Sequence, residues 1–336
     1  MVPLSILDLA PIVEGADAAQ SFLNSADLAR RAERLGYRRF WMAEHHSMPG
    51  IASAATAVAL AYVGSQTSHI RIGAGGIMLP NHAPLIIAEQ FGTLESLFPG
   101  RVDLGLGRAP GTDQAAAYAM RRNLSSDANQ FPNDVIELMG YFRGENSHVR
   151  AVPGEGMGIP VWILGSSLFG AQLAAMLGLR YAFASHFAPQ MMMEAIDLYR
   201  HRFEPSEQLE KPYVMLGFNA IVADTDEEAE LLATSQQQAF VALRTGKPTR
   251  LPPPRPGYQD ELPLEARAML NQVLSASAVG SPKTVGGKLD EFVERTIPDE
   301  LIVTAQIYDH QARLRSYELL MDAVRRPEPV PANQQS

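Results

Sequence analysis

Short runs of apolar residues, typical of buried β-strands, alternate along this chain with longer segments in which apolar residues recur at helical spacing. The segment Ser25–Gly36, which reads SADLARRAERLG, is one such helix: Ser25 can cap its start and Gly36 can end it. The strand-like runs number eight, and they cover Leu4–Asp8, Arg38–Met42, Ile70–Gly75, Val102–Leu106, Val161–Leu164, Tyr181–Ala184, Tyr213–Val222 and Leu301–Thr304.

Strands that alternate with helices pair in parallel through right-handed crossovers, and eight such units fit a closed barrel better than an open, doubly wound sheet. The pattern therefore predicts an α/β fold, a (β/α)8 or TIM barrel, formed as a single domain by residues 1–325. A polar, proline-rich segment around residues 244–263 follows the seventh strand and its helix. We interpret it as a surface insertion, too polar to pack, that is either a lid or a passive flexible loop. Residues 326–336 have the composition of a flexible C-terminal tail.

Composition and charge narrow the class of protein. The 28 Lys and Arg residues against 37 Asp and Glu residues give a net charge of −9, and the absence of a basic block argues against a nucleic-acid partner. The chain has no cysteine, which excludes disulfides, thiolate metal sites and a cysteine nucleophile and suggests a reducing compartment. The first residues do not resemble a secretory signal, and no stretch is apolar for the ~18 residues that a membrane span needs. We expect a cytoplasmic protein with a small-molecule substrate and no membrane partner.

The residues with the most distinctive chemistry follow the ends of the predicted strands. In a parallel barrel, the loops after the carboxyl ends of the strands build the active site. Taken from the second strand to the sixth, these loops contain Glu44-His45-His46, Gly75-Gly76, Gly105–Gly111, Gly165-Ser166-Ser167 and Ser185-His186. We therefore expect a site at one rim of the barrel, in a partly apolar cavity to which Leu7, Met78 and His186 also contribute.

The histidine pair allows two interpretations. Either the His45 or the His46 imidazole can face the cavity as a proton donor or hydrogen-bond partner near neutral pH, while the neighbouring residues support the wall of the cavity. A buried, fully hydrogen-bonded network explains the same residues equally well. A metal site is disfavoured, because adjacent residues at a strand end point to opposite faces and the spacing is not that of His-Glu-x-x-His.

The glycine-rich loop after the fourth strand does not match a dinucleotide-binding fingerprint. Its glycines follow the pattern G-x-G-x-x-x-G, and no acidic residue closes a second strand about twenty positions later. Arg108 within it is well suited to hold a phosphate through paired hydrogen bonds, and a salt bridge to Asp113 is the alternative.

The turn Gly165-Ser166-Ser167 leads from a buried strand into a helix. Its hydroxyls and the free N–H groups at the helix start favour an anion site, although ordinary capping by Ser167 is the simpler explanation. Together with Arg108, the turn indicates a bound phosphate.

Three segments together resemble the bacterial luciferase-like flavin monooxygenases: WMAEHH at Trp41–His46, the long stretch Ile72–Asp113, and LGSS at Leu164–Ser167. The resemblance is closest to single-chain members of that family rather than to the light-emitting subunits. It implies a (β/α)8 barrel that receives reduced FMN from a separate flavin reductase. Dioxygen then adds at the flavin C4a carbon to form a (hydro)peroxyflavin that oxygenates a small organic substrate.

The resemblance also implies roles for individual residues. His45 matches the catalytic histidine and His46 its neighbour. Gly75-Gly76 falls where relatives carry a non-proline cis peptide against the flavin ring. The residues that match FMN-phosphate ligands, or adjoin them, are Arg108, Gly165, Ser166 and Ser167.

Three departures from the family accompany these matches. Gly107 stands where luciferases carry a reactive cysteine, Phe169 replaces a phosphate-contacting threonine, and His82 is shifted by one position. Relatives pair through the helices after the second and third strands, so a homodimer is expected. The alternatives are a deazaflavin-dependent oxidoreductase of the same fold, a non-catalytic flavin-binding protein, and a metal-dependent hydrolase that uses Glu44-His45-His46 and His186.

Overall fold

Eight of the strands close into a parallel barrel in the computed structural model, which describes residues 2–108, 119–120, 130–145 and 148–325. The barrel strands are β1 (Leu4–Asp8), β2 (Arg39–Met42), β3 (Arg71–Met78), β4 (Val102–Gly107), β5 (Val161–Gly165), β6 (Arg180–Phe183), β7 (Val214–Val222) and β9 (Glu300–Thr304). Strand β9 pairs with both β7 and β1, which closes the ring. The predicted (β/α)8 barrel is confirmed, and the eight strands correspond to the eight predicted from the apolar runs.

A ninth strand, β8 (Ser277–Gly280), lies outside the ring. It pairs in parallel with residues 219–222, the last part of β7, beyond the residues through which β7 contacts β6. Only two of its four residues are buried, so it lacks the continuous apolar run that predicts the barrel strands.

Helices connect the strands and cover the outside of the barrel. They are α1 (Ala18–Leu35), α2 (Thr56–Ser65), α3 (Pro84–Leu97), α4 (Phe131–Arg143), α5 (Leu168–Met176), α6 (Met192–Arg202), α7 (Asp226–Arg244), α8 (Tyr258–Glu261), α9 (Leu264–Val273), α10 (Pro282–Thr296) and α11 (His310–Val324). The expected cap at Ser25 is wrong, because α1 begins earlier and Ser25 is buried in its middle. The Asp17 carboxylate caps α1 by accepting from the backbone N–H of Gln20, and Gly36 ends the helix as expected, with φ of 81°.

The interior of the barrel is filled at two levels. An apolar layer contains Trp41 and Trp162, whose rings meet edge to face 5.1 Å apart. Nearer the amino ends of the strands, the guanidinium of Arg39 binds the carboxylate of Asp103 at 2.7 Å and that of Glu300 at 2.9 Å, and all three side chains are buried. The amino-terminal end is therefore closed, which leaves the carboxyl-terminal rim for a site.

The insertion after α7 packs on that rim. Leu251 is 2% exposed and exchanges two backbone hydrogen bonds of 2.9 Å with the loop after β1, at Ile12 and Glu14. The expectation that this segment is too polar to pack is therefore wrong at Leu251. The expected tail, residues 326–336, lies outside the described residues. Within the described part of the chain, no helix is both long and apolar enough to cross a membrane.

Candidate active site

The loop after β2 holds three candidate residues in a fixed arrangement. The Ser53 hydroxyl donates to the carbonyl of Ala43 at 2.6 Å, and the backbone N–H of His45 donates to the carbonyl of Ser53 at 3.2 Å. The side chains alternate as the sequence predicts: Glu44 and His46 are hydrogen-bonded to each other, whereas Nδ1 of His45 has no hydrogen-bond partner among the described residues.

The Glu44 carboxylate is the centre of a buried hydrogen-bonded cluster. Its Oε1 lies 2.7 Å from Nε2 of His46 and 2.8 Å from Nε2 of His82, and its Oε2 accepts from the backbone N–H of Met78 at 3.1 Å. Burial alone would raise the pKa of Glu44, but the hydrogen bonds from His82, His46 and Met78 outweigh it and lower the pKa. This cluster ties the end of β2 to the end of β3.

The same three side chains, Glu44, His46 and His82, form a group that could hold a metal ion, since their ligand atoms lie within 4.8 Å of one another. The histidine–carboxylate separations of 2.7 and 2.8 Å are those of hydrogen bonds, and these bonds satisfy the carboxylate without a cation. The sequence pattern indicates that His45 and His46 do not share a ligand, but it does not predict that His82 joins the cluster. That contact joins residues 38 positions apart.

His45 and His186 differ from His46 and His82 at this rim because each has a ring nitrogen that is buried and not hydrogen-bonded to a described residue. The Nδ1 atom of each has no hydrogen-bond partner among the residues that the structure describes. The pKa of each ring is lowered to about 4, mainly by burial, and for His186 also by the nearby His45. Both imidazoles are therefore neutral at physiological pH, and each can donate or accept a hydrogen bond without carrying charge.

The loop that carries His186 is fixed by β7. The carbonyl of His186 accepts from the Asn219 side chain at 2.8 Å, and the Ser185 hydroxyl donates to the carbonyl of Gly217 at 2.7 Å. A Cβ at Gly217 would lie 2.1 Å from Nδ1 of His186, so the imidazole occupies space that any larger residue on β7 would take. A glycine at this position on β7 is thus required by the histidine.

Gly75 and Gly76 form a tightly packed part of the rim. The peptide bond between them is cis, which confirms the expectation drawn from the family resemblance. A Cβ at Gly75 would lie 2.7 Å from Cδ1 of Leu7, and one at Gly76 would lie 2.7 Å from the carbonyl oxygen of Gly105 and 3.1 Å from Leu164. Strand β3 is therefore in close backbone contact with β4 and adjoins the end of β5.

Arg108 and the turn before α5 come together. The guanidinium carbon of Arg108 lies 4.3 Å over the ring of Phe169, the second residue of α5. Ser167 is the N-cap residue, but its side chain makes no capping hydrogen bond, so simple capping does not account for its hydroxyl. The Tyr181 hydroxyl donates to the carbonyl of Ser167 at 3.3 Å and supports the turn. Asp113, the alternative partner of Arg108, lies outside the described residues.

The side chains of Ser166 and Ser167 are exposed, and the start of α5 opens to solvent. Three kinds of donor can therefore reach one ligand: hydroxyls, free backbone N–H groups and a guanidinium. Such a set is suited to a phosphate.

The chain is similar to known proteins over nearly its whole length. Residues 3–299 match the model of a family described as luciferase-like monooxygenase. A protein of that name from Escherichia coli (strain K12) is 54% identical over 323 residues, which cover 96% of each chain. The N-acetyl-S-alkylcysteine monooxygenase of Bacillus subtilis (strain 168) is 31% identical over 341 aligned positions, which cover 96% of this chain and 98% of that protein.

Solved structures give the same result for the fold. The crystal structure of apo-MsnO8 matches with a TM-score of 0.87 at 34% identity, over 96% of this chain and 98% of that one. More distant structures share the fold alone, each with a TM-score of 0.71. They are the oxygenating constituent of 3,6-diketocamphane monooxygenase from Pseudomonas putida with FMN, at 20% identity over 98% of this chain, and an F420-dependent secondary alcohol dehydrogenase, at 14% identity over 97%. With the family model matched from residue 3 to residue 299, this chain belongs to the luciferase-like monooxygenase family of oxidoreductases.

Proposed function

We propose that this protein is a two-component, flavin-dependent monooxygenase that uses reduced FMN and dioxygen to oxygenate a small organic substrate. The observation that carries the proposal is the meeting of Arg108 with the open start of α5, next to the Gly75-Gly76 peptide. Membership of a monooxygenase family supplies the reaction class.

The phosphate of FMN fits the residues around α5. Arg108 supplies a guanidinium, Ser166 and Ser167 supply exposed hydroxyls, and the first turn of α5 supplies N–H groups at the positive end of the helix dipole. A dianionic phosphate would meet donors and no carboxylate among the described partners of these residues. Arg108, Gly165, Ser166 and Ser167 are thus the proposed phosphate ligands.

The flavin ring fits against the glycine pair. The side-chain positions of Gly75 and Gly76 are filled by Leu7 and by the Gly105 carbonyl, so only the peptide between them can face a ligand. Gly76 adjoins Leu164, one residue before the proposed phosphate turn. A planar ring can therefore lie close to the strand while its phosphate reaches α5. When bound, the reduced flavin supplies the electrons that activate dioxygen, with one oxygen atom transferred to the substrate and the other released as water.

His45 is the proposed catalytic residue, and His46, whose ring is hydrogen-bonded to Glu44, is the second candidate. Because its pKa is lowered to about 4, the His45 imidazole is neutral at the pH of the cell and can hold or move a proton at its ring nitrogens. Leu251 and the insertion lie over the same rim and can shield these groups from water.

The flavin reductase is proposed as a separate protein. The chain has no G-x-G-x-x-G fingerprint after a strand, so a nicotinamide cofactor has no evident binding motif here. Reduced FMN would reach this protein by transient contact or diffusion.

A homodimer is the proposed assembly. Helices α2 and α3 lie next to each other, and both expose large apolar side chains: Val58 is 71% exposed, Ile86 46% and Leu97 59%. A second copy can bury this surface. Sedimentation velocity should give a dimer, and Val58→Glu should shift it to a monomer.

The flavin assignment is tested by anaerobic equilibrium dialysis of the protein with reduced FMN and, separately, with reduced F420. We expect FMN to bind more tightly. In stopped-flow mixing with dioxygen, the protein should delay the return of the oxidised-flavin absorbance, and His45→Ala should shorten that delay. Tighter binding of F420 would favour the deazaflavin alternative. FMN binding with an unchanged time course in His45→Ala would favour a non-catalytic flavin carrier.

A further inference from the structure

We propose that Phe169 is a positioning residue that orients Arg108 toward the phosphate of the cofactor. This inference rests on the proposed function, because it assigns a role within the same phosphate site. It concerns a contact between two side chains from neighbouring strand ends, one after β4 and one at the start of α5.

The geometry of the contact is the first argument. The guanidinium carbon of Arg108 lies 4.3 Å from the centroid of the Phe169 ring, well within the ~6 Å range of cation–π attraction. An arginine side chain has several rotatable bonds, and ordering it on binding would cost free energy. A ring that already holds the guanidinium reduces that cost.

The chemistry of the ring is the second argument. A carboxylate partner would occupy the N–H edge of Arg108 through paired hydrogen bonds, and it would add negative charge beside the anion to be bound. The face of a phenyl ring attracts the cation but contains no hydrogen-bond acceptor of comparable strength. Phe169 can thus hold Arg108 while its N–H donors stay available for phosphate oxygens.

The rigidity of the support is the third argument. Gly165 and Gly170 approach closely, since a Cβ at Gly170 would lie 3.6 Å from the Cα of Gly165, and Tyr181 donates to the carbonyl of Ser167. The backbone before Phe169 is therefore braced from two sides. Because the Phe169 ring is attached to this turn, it holds the Arg108 guanidinium close to the hydroxyls and N–H groups of the same turn.

The test compares flavins with and without the phosphate. Dissociation constants of photoreduced FMN and photoreduced riboflavin are measured by anaerobic equilibrium dialysis for the wild type, Phe169→Leu, Phe169→Tyr, Arg108→Ala and the double variant Arg108→Ala/Phe169→Leu. The readout is the ratio of the riboflavin constant to the FMN constant, because a general loss of folding or of ring binding affects both flavins alike. Phe187→Leu is a matched control: Phe187 is 40% exposed, against 36% for Phe169, and its ring lies 5.1 Å from the guanidinium of Arg244.

We expect Phe169→Leu to lower the ratio about two- to five-fold, as for a partly exposed cation–π contact, and Phe169→Tyr to retain it. Arg108→Ala should lower the ratio about ten- to a hundredfold, and Phe169→Leu should have no further effect in that background. Phe187→Leu should leave the ratio unchanged.

Two results would overturn the inference while leaving the proposed function intact. In one, Arg108→Ala strongly lowers the ratio of dissociation constants whereas Phe169→Leu leaves it unchanged. In the other, Phe169→Leu lowers the ratio by the same factor in the wild type and in the Arg108→Ala background. If the wild type binds neither flavin, or binds both equally, the proposed function itself fails.

Discussion

At the scale of single residues, the packing around the glycine pair decides what can be substituted. A Cβ at Gly76 would lie 2.7 Å from the carbonyl oxygen of Gly105, and backbone cannot move aside as a flexible side chain can. We therefore expect Gly76→Ala to lower the free energy of unfolding by about 1–3 kcal/mol. Gly107→Ala is the matched control, because among the described residues a Cβ there meets only the carbonyl oxygen of Ile77, at 3.8 Å. Urea unfolding should separate the two variants; equal stabilities would contradict the packing argument.

The hydrogen bonds of Glu44 lead to a second prediction. Both carboxylate oxygens accept, one from His46 and His82 and the other from the backbone of Met78, and the side chain is buried. In Glu44→Gln, an amide NH2 replaces one acceptor, so it either faces the Met78 N–H or requires the His46 and His82 rings to change tautomer. We expect a loss of about 1–3 kcal/mol in the free energy of unfolding and weaker flavin binding. Urea unfolding and anaerobic dialysis measure the two effects, with the exposed Glu230→Gln as the control that should change neither.

Some residue roles can be predicted from the sequence and others cannot. The period of two along an extended chain predicts that Glu44 and His46 share a side that His45 does not, and the family resemblance predicts the cis peptide at Gly75-Gly76. The contact of Glu44 with His82 depends on how β3 continues past its last residue into a short helical turn. No local pattern encodes that path.

At the scale of elements, the buried ions of the barrel interior lead to a third prediction. Arg39 on β2 joins Asp103 on β4 to Glu300 on β9, and both carboxylates are fully buried. In Arg39→Met, two buried carboxylates lose the guanidinium that they share. Asp103 keeps Arg71 and Glu300 keeps the Tyr213 hydroxyl, so we expect a loss of about 3 kcal/mol, the low end of the range for a broken buried pair. Arg143→Met removes an exposed pair with Glu145 and should cost less than about 1 kcal/mol. A similar urea midpoint for both variants would show that the interior pair contributes little.

Elements are predictable where burial is continuous along the chain. Every barrel strand contains at least three consecutive buried residues, and its predicted position follows from that run. Strand β8 has only alternate residues buried, and its partner is the projecting end of β7, so it depends on tertiary contact. Leu251 is a similar case: a single apolar residue within a polar segment packs because the loop after β1 provides backbone partners.

At the scale of the whole molecule, the two ends of the barrel differ in how they carry charge. The amino-terminal end buries ionised groups that neutralise each other, as in the Arg39 network, where the guanidinium groups lower the pKa of Asp103 against the effect of burial. The carboxyl-terminal rim holds the neutral imidazoles of His45 and His186, whose Nδ1 atoms have no hydrogen-bond partner in the part of the chain that the structure describes. The first arrangement favours folding, whereas the second leaves hydrogen-bonding capacity for a ligand.

That difference predicts how stability depends on pH. The folded-state pKa of His45 and of His186 is about 4, below the ordinary value of 6.5 expected in the unfolded chain. Above pH 6.5 neither state binds a proton at these rings, so they add no pH dependence to the free energy of unfolding there. As the pH falls from 6.5 toward 4, the unfolded chain takes up protons that the folded protein does not, and the free energy of unfolding decreases. Near pH 5 the unfolded chain should hold close to about two more protons at these rings than the folded protein does, and this difference sets the slope of the free energy of unfolding against pH.

Urea unfolding between pH 8 and about pH 5 tests this, because carboxylates with ordinary or lowered pKa values mostly titrate below that range. The double variant His45→Gln/His186→Gln should show a shallower decline than the wild type across the interval. The control is His148→Gln, whose side chain is exposed and whose replacement should leave the slope as it is. If the double variant declines as steeply as the wild type, the two imidazoles are not buried in the neutral form, and the proton-handling role assigned to His45 loses its electrostatic basis.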